Sequence, residues 1–157
     1  MKKARIKTPL GIAELAGDEN GLSYFSILDD KEEFDKEIPS ELQSAAEQVS
    51  EYFNGKREKF DLKLNPQGTE FQKKVWKELI NIPFGHTTSY LELSRKLGDE
   101  KAIRAVASAN GKNPLWILVP CHRVIGSDGS LTGYAGGLHR KKWLLEHENP
   151  PIQQRLF

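Results

Sequence analysis

The 157-residue sequence predicts a mixed α/β (α+β) fold in two parts. A small amino-terminal subdomain of sheet and helix spans 1–66. A mainly helical domain with a helix-turn-helix (winged-helix-like) spans 67–157. Three observations carry this. Short apolar runs between turn residues crowd the first thirty positions, and helix-start signals recur from residue 69 onward. The charge also changes sign at Asn65-Pro66-Gln67-Gly68, the best linker candidate: residues 1–66 hold 10 Lys+Arg against 14 Asp+Glu, whereas 67–157 hold 13 against 8. The net charge of +1 thus conceals a basic second part, with the sign of a polyanion-binding module. Ordinary scatter of surface charge would give the same numbers.

In the first part, Ala4 to Thr8 and Gly11 to Ala16 read as strands around the Pro9-Leu10-Gly11 turn. Gly17-Asp18-Glu19-Asn20-Gly21 is a second turn, leading into a strand from Leu22 to Leu28. The acidic stretch Asp29 to Glu37 reads as a solvated loop. Ser40-Glu41-Leu42-Gln43 has the form of a capping box and opens a helix to about Phe53, before Asn54-Gly55. Phe60 to Leu64 is a further short strand.

In the second part, Thr69-Glu70-Phe71-Gln72 is a capping box, and Phe71, Val75, Trp76 and Leu79 form one apolar face. Asn81-Ile82-Pro83 ends that helix. Ser89-Tyr90-Leu91-Glu92 starts a short helix that Gly98 closes. Asp99 caps the next, from Lys101 to about Asn110, with Ile103 and Val106 inward. Two short helices joined at Leu97-Gly98-Asp99 match helix-turn-helix dimensions, as does a plain helical hairpin. Leu115 to Val119 reads as a buried strand ending at Pro120. A stretch with five of the 13 glycines follows, then a helix from Leu138 to about Glu148.

Composition narrows the class. At 38% hydrophobic and 29% charged the chain is globular, and its longest apolar run is far too short for a membrane span. The basic start runs into Ile6-Lys7-Thr8 rather than an apolar stretch, which argues against a secretory leader. A lone cysteine allows no internal disulfide and suits a reducing cytoplasm. The four histidines show no metal-ligand spacing with Cys121 or each other, so no metal is expected. The glycines fit neither the dinucleotide nor the P-loop pattern, and no cofactor is expected.

Cys121 is the residue with chemistry to offer. Alone it reads as a small buried hydrophobe. His122 and Arg123 follow it directly, and a thiolate at neutral pH needs such positive charge or a base. Adjacent side chains rarely face each other, so His122 would act through a bridging water, with a carboxylate orienting its imidazole.

Pro120-Cys121-His122-Arg123-Val124, preceded by Asn113-Pro114 and followed by Gly133-Tyr134-Ala135-Gly136-Gly137, strongly resembles the O6-alkylguanine-DNA alkyltransferase family. The match extends through Phe71-Gln72-Lys73-Lys74-Val75-Trp76, Ser89-Tyr90, Arg104-Ala105-Val106 and Trp143 to Glu148. It covers residues 68–148; residues 1–67 carry no signature but are compatible with the family's variable, ribonuclease-H-like amino-terminal subdomain. The resemblance implies that Cys121 accepts an alkyl group from guanine O6 in duplex DNA, once per chain, by a monomer without a cofactor. It makes His122 the base, Glu148 its orienting carboxylate, and Tyr90 the residue that helps extrude the nucleotide and protonate the leaving guanine. Asn113 would brace the turn before the active site. Arg104 would fill the vacated base stack from the minor groove, and Tyr90, Arg123, Ser89 and Ala105 would also lie at the DNA. Tyr134, Ala135, Val124 and Gly136 would form the base pocket. Ala135 stands where some members have serine, and Ala107 where glycine is common; both bear on substrate range. O4-alkylthymine is a further candidate substrate. Two other readings stand beside this one: a sensor that binds alkylated DNA without transfer, against which the presence of Cys121 argues, and a helix-turn-helix regulator with Cys121 in its core. Nothing resembling an oxyanion motif supports a Cys-His hydrolase.

Overall fold

The computed structural model describes residues 1–29 and 31–150. The chain forms two compact units, Met1–Gln67 with Pro114–Leu118, and Gly68–Asn113 with the chain from Val119 on. The strand-then-helix order expected from the sequence is present, with mixed α and β structure throughout.

The first unit is built on an antiparallel sheet of β1 (Lys2–Thr8), β2 (Gly11–Asp18) and β3 (Gly21–Leu28), in that spatial order. Gly21 has φ +123°, and a Cβ there would stand 2.8 Å from the Lys63 carbonyl oxygen. That approach is used: Leu22 donates to Lys63 O at 2.9 Å, and Leu22 O accepts from Asn65 at 2.6 Å. The strand expected over Phe60 to Leu64 is therefore a single parallel bridge, Leu22 to Leu64. Helix α1 (Ser40–Phe53) buries Leu42, Ala45, Val49 and Tyr52, spaced to share one face. Its cap is Pro39 rather than Ser40. The proline already holds helical φ, so Ser40 becomes the first helical residue, and its hydroxyl turns to its neighbour Glu41. Along the outer edge of β1, Arg5 and Asp35 exchange two hydrogen bonds of 2.8 and 2.9 Å. The acidic loop thereby covers backbone that an edge strand would leave unpaired.

Leu115 to Val119 is not a strand. Phe25 donates to Pro114 O and accepts from Trp116, both at 2.9 Å, giving one bridge at Leu115. The chain then turns back at Ile117, at φ +72°, with Leu118 donating to Trp116 O. This is a γ-turn centred on a β-branched residue in the left-handed region, a strained conformation that apolar patterning does not announce.

In the second unit, α2 (Glu70–Leu79) starts in the expected capping box, with Thr69 and Gln72 bonding reciprocally. Val75, Trp76 and Leu79 are buried, but Phe71, one turn before Val75 at the start of the helix, is 39% exposed. Trp76 Nε1 donates to Ala109 O at 2.8 Å. A two-residue strand, β4 (Thr88–Ser89), pairs in parallel with β5 (Val124–Ile125), a pairing too short to read from sequence. Ser89 caps α3 (Tyr90–Lys96) by accepting from Glu92 N; the full capping box that Ser89-Tyr90-Leu91-Glu92 predicts is not formed, because the Glu92 carboxylate goes to Arg95. Gly98 at φ +91° and the Asp99 cap lead into a 3-10 turn, Glu100–Ala102, and then α4 (Ile103–Gly111). The second helix of the helix-turn-helix thus starts two residues later than expected. Helix α5 (Leu138–Glu148) closes the unit. Among the described residues, no helix is long and apolar enough to cross a membrane.

Candidate active site

Pro120 ends the apolar run and Cys121 opens a 3-10 turn, Cys121–Arg123, whose three side chains are all buried. The turn is held from α4 and the residues after it. Asn113 Nδ2 donates to Val119 O at 2.8 Å, and Asn110 Nδ2 donates to Cys121 O at 3.4 Å. Asn113 thus spans the turn that the resemblance assigned it to brace.

His122 is wholly buried, and its Nε2 donates to Glu148 Oε2 at 2.8 Å. That bond fixes the tautomer and leaves Nδ1 as the basic nitrogen. Nδ1 has no hydrogen-bond partner among the described residues. Glu148 also receives Arg123, whose Nε and Nη2 donate at 2.7 and 3.0 Å. Arg123 Nη1 donates to Ile82 O, and the guanidinium lies over the Phe84 ring. Arg123 is therefore not placed to meet DNA. Two of these three consecutive buried residues, His122 and Arg123, thus meet on one carboxylate, an arrangement that their adjacency in the chain does not announce.

The electrostatics suit a resting, neutral pair. Burial pushes the Cys121 thiol up to about 11, against the opposing pull of Asn113 and Lys141. Burial likewise lowers His122, outweighing Glu148, so the imidazole is uncharged at neutral pH. Burial alone would raise Glu148; its hydrogen bonds to His122 and Arg123 reverse this and hold it well below the usual carboxylate range.

A cavity of about 680 Å³ is lined by Tyr90, Arg104, Tyr134 and Ala135, with Ile103 and Ala107. Val124 and Gly136, also expected in the pocket, are buried and do not line it; their carbonyls accept from Lys141 at 2.6 Å and Arg140 at 3.1 Å. Ile103, expected inward, is half-buried and lines the cavity beside Arg104. Ala105 is exposed, and Ser89 is the helix cap. Tyr90 hydroxyl donates to Thr132 O at 3.1 Å.

Sequence reasoning missed Lys141. It is fully buried, its Nζ donating to Val124 O and to Thr132 O at 2.8 Å, and burial lowers it to about 8. Its spacing from Leu144 and Glu148 puts all three on one helix face, a signal available in the sequence. Among the described residues no group of three His, Cys, Asp or Glu side chains is placed to share a metal ion.

A solitary thiol beside a His–Glu pair, in a unit that also carries a helix-turn-helix and an apolar cavity, defines a class: helix-turn-helix proteins bearing a nucleophilic cysteine. The 6-O-methylguanine DNA methyltransferase DNA-binding domain matches residues 70–150, and the ribonuclease-like domain of the same enzymes matches 1–66. A methylated-DNA–protein-cysteine methyltransferase of Methanosarcina barkeri is 49% identical over 91% of this chain and 94% of its own length. The Mycobacterium bovis protein of that name is 44% identical over 97% and 96%. The crystal structure of Mycobacterium tuberculosis OGT in complex with DNA superposes with TM-score 0.84 at 43% identity, covering 93% of this chain and 91% of that one. The chain belongs to the 6-O-methylguanine DNA methyltransferase family.

Proposed function

We propose that this protein repairs O6-alkylguanine in duplex DNA by direct reversal, moving the alkyl group onto its own Cys121 in a single turnover. The observation that carries the reading is the buried Cys121–His122–Glu148 arrangement in one unit with the helix-turn-helix. Family membership and the DNA complex of a 43% identical neighbour support DNA as partner and methyl transfer as the reaction. Residues 67–157 would bind DNA and accept the alkyl group, and 1–66 would form a separate subdomain. A reducing cytoplasm would keep the single thiol available.

The chemistry follows from the geometry. The target oxygen is inaccessible inside a duplex, so the nucleotide must be extruded, and the cavity between Tyr90, Arg104 and Tyr134 would receive it. The thiol is protonated at rest, so ionisation must accompany reaction: His122 Nδ1, made basic by the Nε2–Glu148 bond, would take the proton through a bridging water. The carbon–oxygen bond breaks as the carbon–sulfur bond forms, and the guanine regains a proton, with Tyr90 as donor. The product is a thioether, which thiol exchange does not reverse. The test is intact mass after incubation with duplex DNA containing O6-methylguanine. One added methyl group, mapped to Cys121 and lost in C121S, is expected. Binding without mass change would make the protein a sensor.

A further inference from the structure

The function proposed above leaves one buried polar residue unused. Asn110 lies near the end of α4, between Ala109 and Gly111, and is 2% exposed. Its Nδ2 reaches Cys121 O at 3.4 Å, a long bond. Burial raises the Tyr90 phenol, and the same amide lies within reach of its oxygen and opposes that push. Its Oδ1 is buried with no hydrogen-bond partner among the described residues. A leucine of similar shape would escape the cost of that unpaired acceptor, so stability does not explain an amide here. The two groups it touches do: one is the hydroxyl at the cavity wall, the other the main chain of the nucleophile.

Resting on that functional reading, we propose that Asn110 is a positioning residue for alkyl transfer, tying the Tyr90 hydroxyl to the Cys121 carbonyl so that proton donor and nucleophile keep their register. In the free protein Tyr90 spends its proton on Thr132 O. To serve the leaving guanine, the O–H must turn from that carbonyl toward the base. The N–H of Asn110 holds the phenol oxygen in place during this turn and stabilises negative charge on it as the proton departs. The proton leaves Tyr90 for the guanine ring as the carbon–oxygen bond breaks, and the phenolate is restored by the proton that Cys121 released to His122.

The experiment is a double-mutant cycle: single-turnover methyl transfer to Cys121 from duplex O6-methylguanine, for wild type, N110L, Y90F and N110L/Y90F, with thermal melting of each. N110L should slow transfer roughly ten- to hundredfold, while adding less than about threefold in the Y90F background. A purely structural Asn110 would slow both backgrounds equally, and that result, or wild-type rate in N110L, would overturn the proposal. If N110L fails to fold, N110D keeps the shape, loses both N–H donors, and is read in the same cycle. Wild type that binds alkylated duplex without gaining a methyl group would overturn the functional reading and this role with it; normal wild-type transfer with additive mutants removes only the role of Asn110.

Discussion

Cys121 stores its reactivity rather than displaying it. With its thiol near 11, about one molecule in ten thousand is a thiolate at pH 7. Iodoacetamide labelling without DNA should therefore be slow at neutral pH and rise about tenfold per pH unit toward 11, followed by intact mass. Rapid labelling at pH 7 would show an ionised resting thiol. The thiol is also shielded from adventitious electrophiles in this state, which suits a residue that reacts once. Arg123 makes a second point at this scale. It neutralises a carboxylate that is 7% exposed, and removing one partner of a buried pair costs about 3–5 kcal/mol. R123A should lose stability on that order in denaturant unfolding. A surface phosphate ligand would instead lose DNA affinity at unchanged stability.

Helix α4 does two jobs with opposite faces. Val106, Ala109 and Asn110 are buried, and the Trp76 indole fixes the carbonyl of Ala109. Arg104 and Ala105 are exposed, and Arg104 also borders the cavity. The proposed role of Arg104 is to fill the stack that an extruded nucleotide vacates. Unstacking costs on the order of a few kcal/mol, and each 1.4 kcal/mol is about tenfold in rate. R104A should slow repair of duplex substrate by roughly one to two orders of magnitude while leaving reaction with free O6-alkylated guanine base almost unchanged. The quantity to measure is the ratio of the two rates at fixed salt. An unchanged ratio would leave Arg104 as a phosphate ligand or a helix residue.

For the whole molecule, the basic surplus of residues 67–157 predicts salt-sensitive, sequence-indifferent binding. Not all of that surplus is available. Arg123, Arg140 and Lys141 are buried, whereas Lys73, Lys74, Arg95, Lys96, Lys101, Arg104 and Lys112 are exposed. Affinity for duplex DNA should fall with a log–log slope of about −0.9 per phosphate neutralised. Substitution of Lys141 should leave that slope unchanged, whereas substitution of an exposed lysine at the interface should reduce it. A salt-independent affinity would count against phosphate contacts as the source of binding.

Local features were legible because they are local. The capping box at Thr69, the Ser89 and Asp99 caps, the glycine stop at Gly98 and the bounds of α1 and α5 each depend on a few adjacent residues, and the structure keeps them. The resemblance around Cys121 also singled out the thiol, the histidine beside it and the distant Glu148, and the last two are bonded to each other. What patterning could not give was side-chain direction at buried turns. The five apolar residues ending at Val119 satisfy a strand pattern, yet one β-branched residue at positive φ turns the chain. Cys121, His122 and Arg123 are consecutive, and only packing decides that Arg123 joins His122 on Glu148 while Cys121 shares its surroundings with Asn110 and Asn113. Lys141 and Asn110 look like ordinary helix residues until α3, α4, α5 and the Cys121 turn are assembled around them. The sequence by itself singled out the residues proposed to carry the chemistry. Tertiary structure alone decided their charge states and partners, because burial depends on atoms brought from distant parts of the chain.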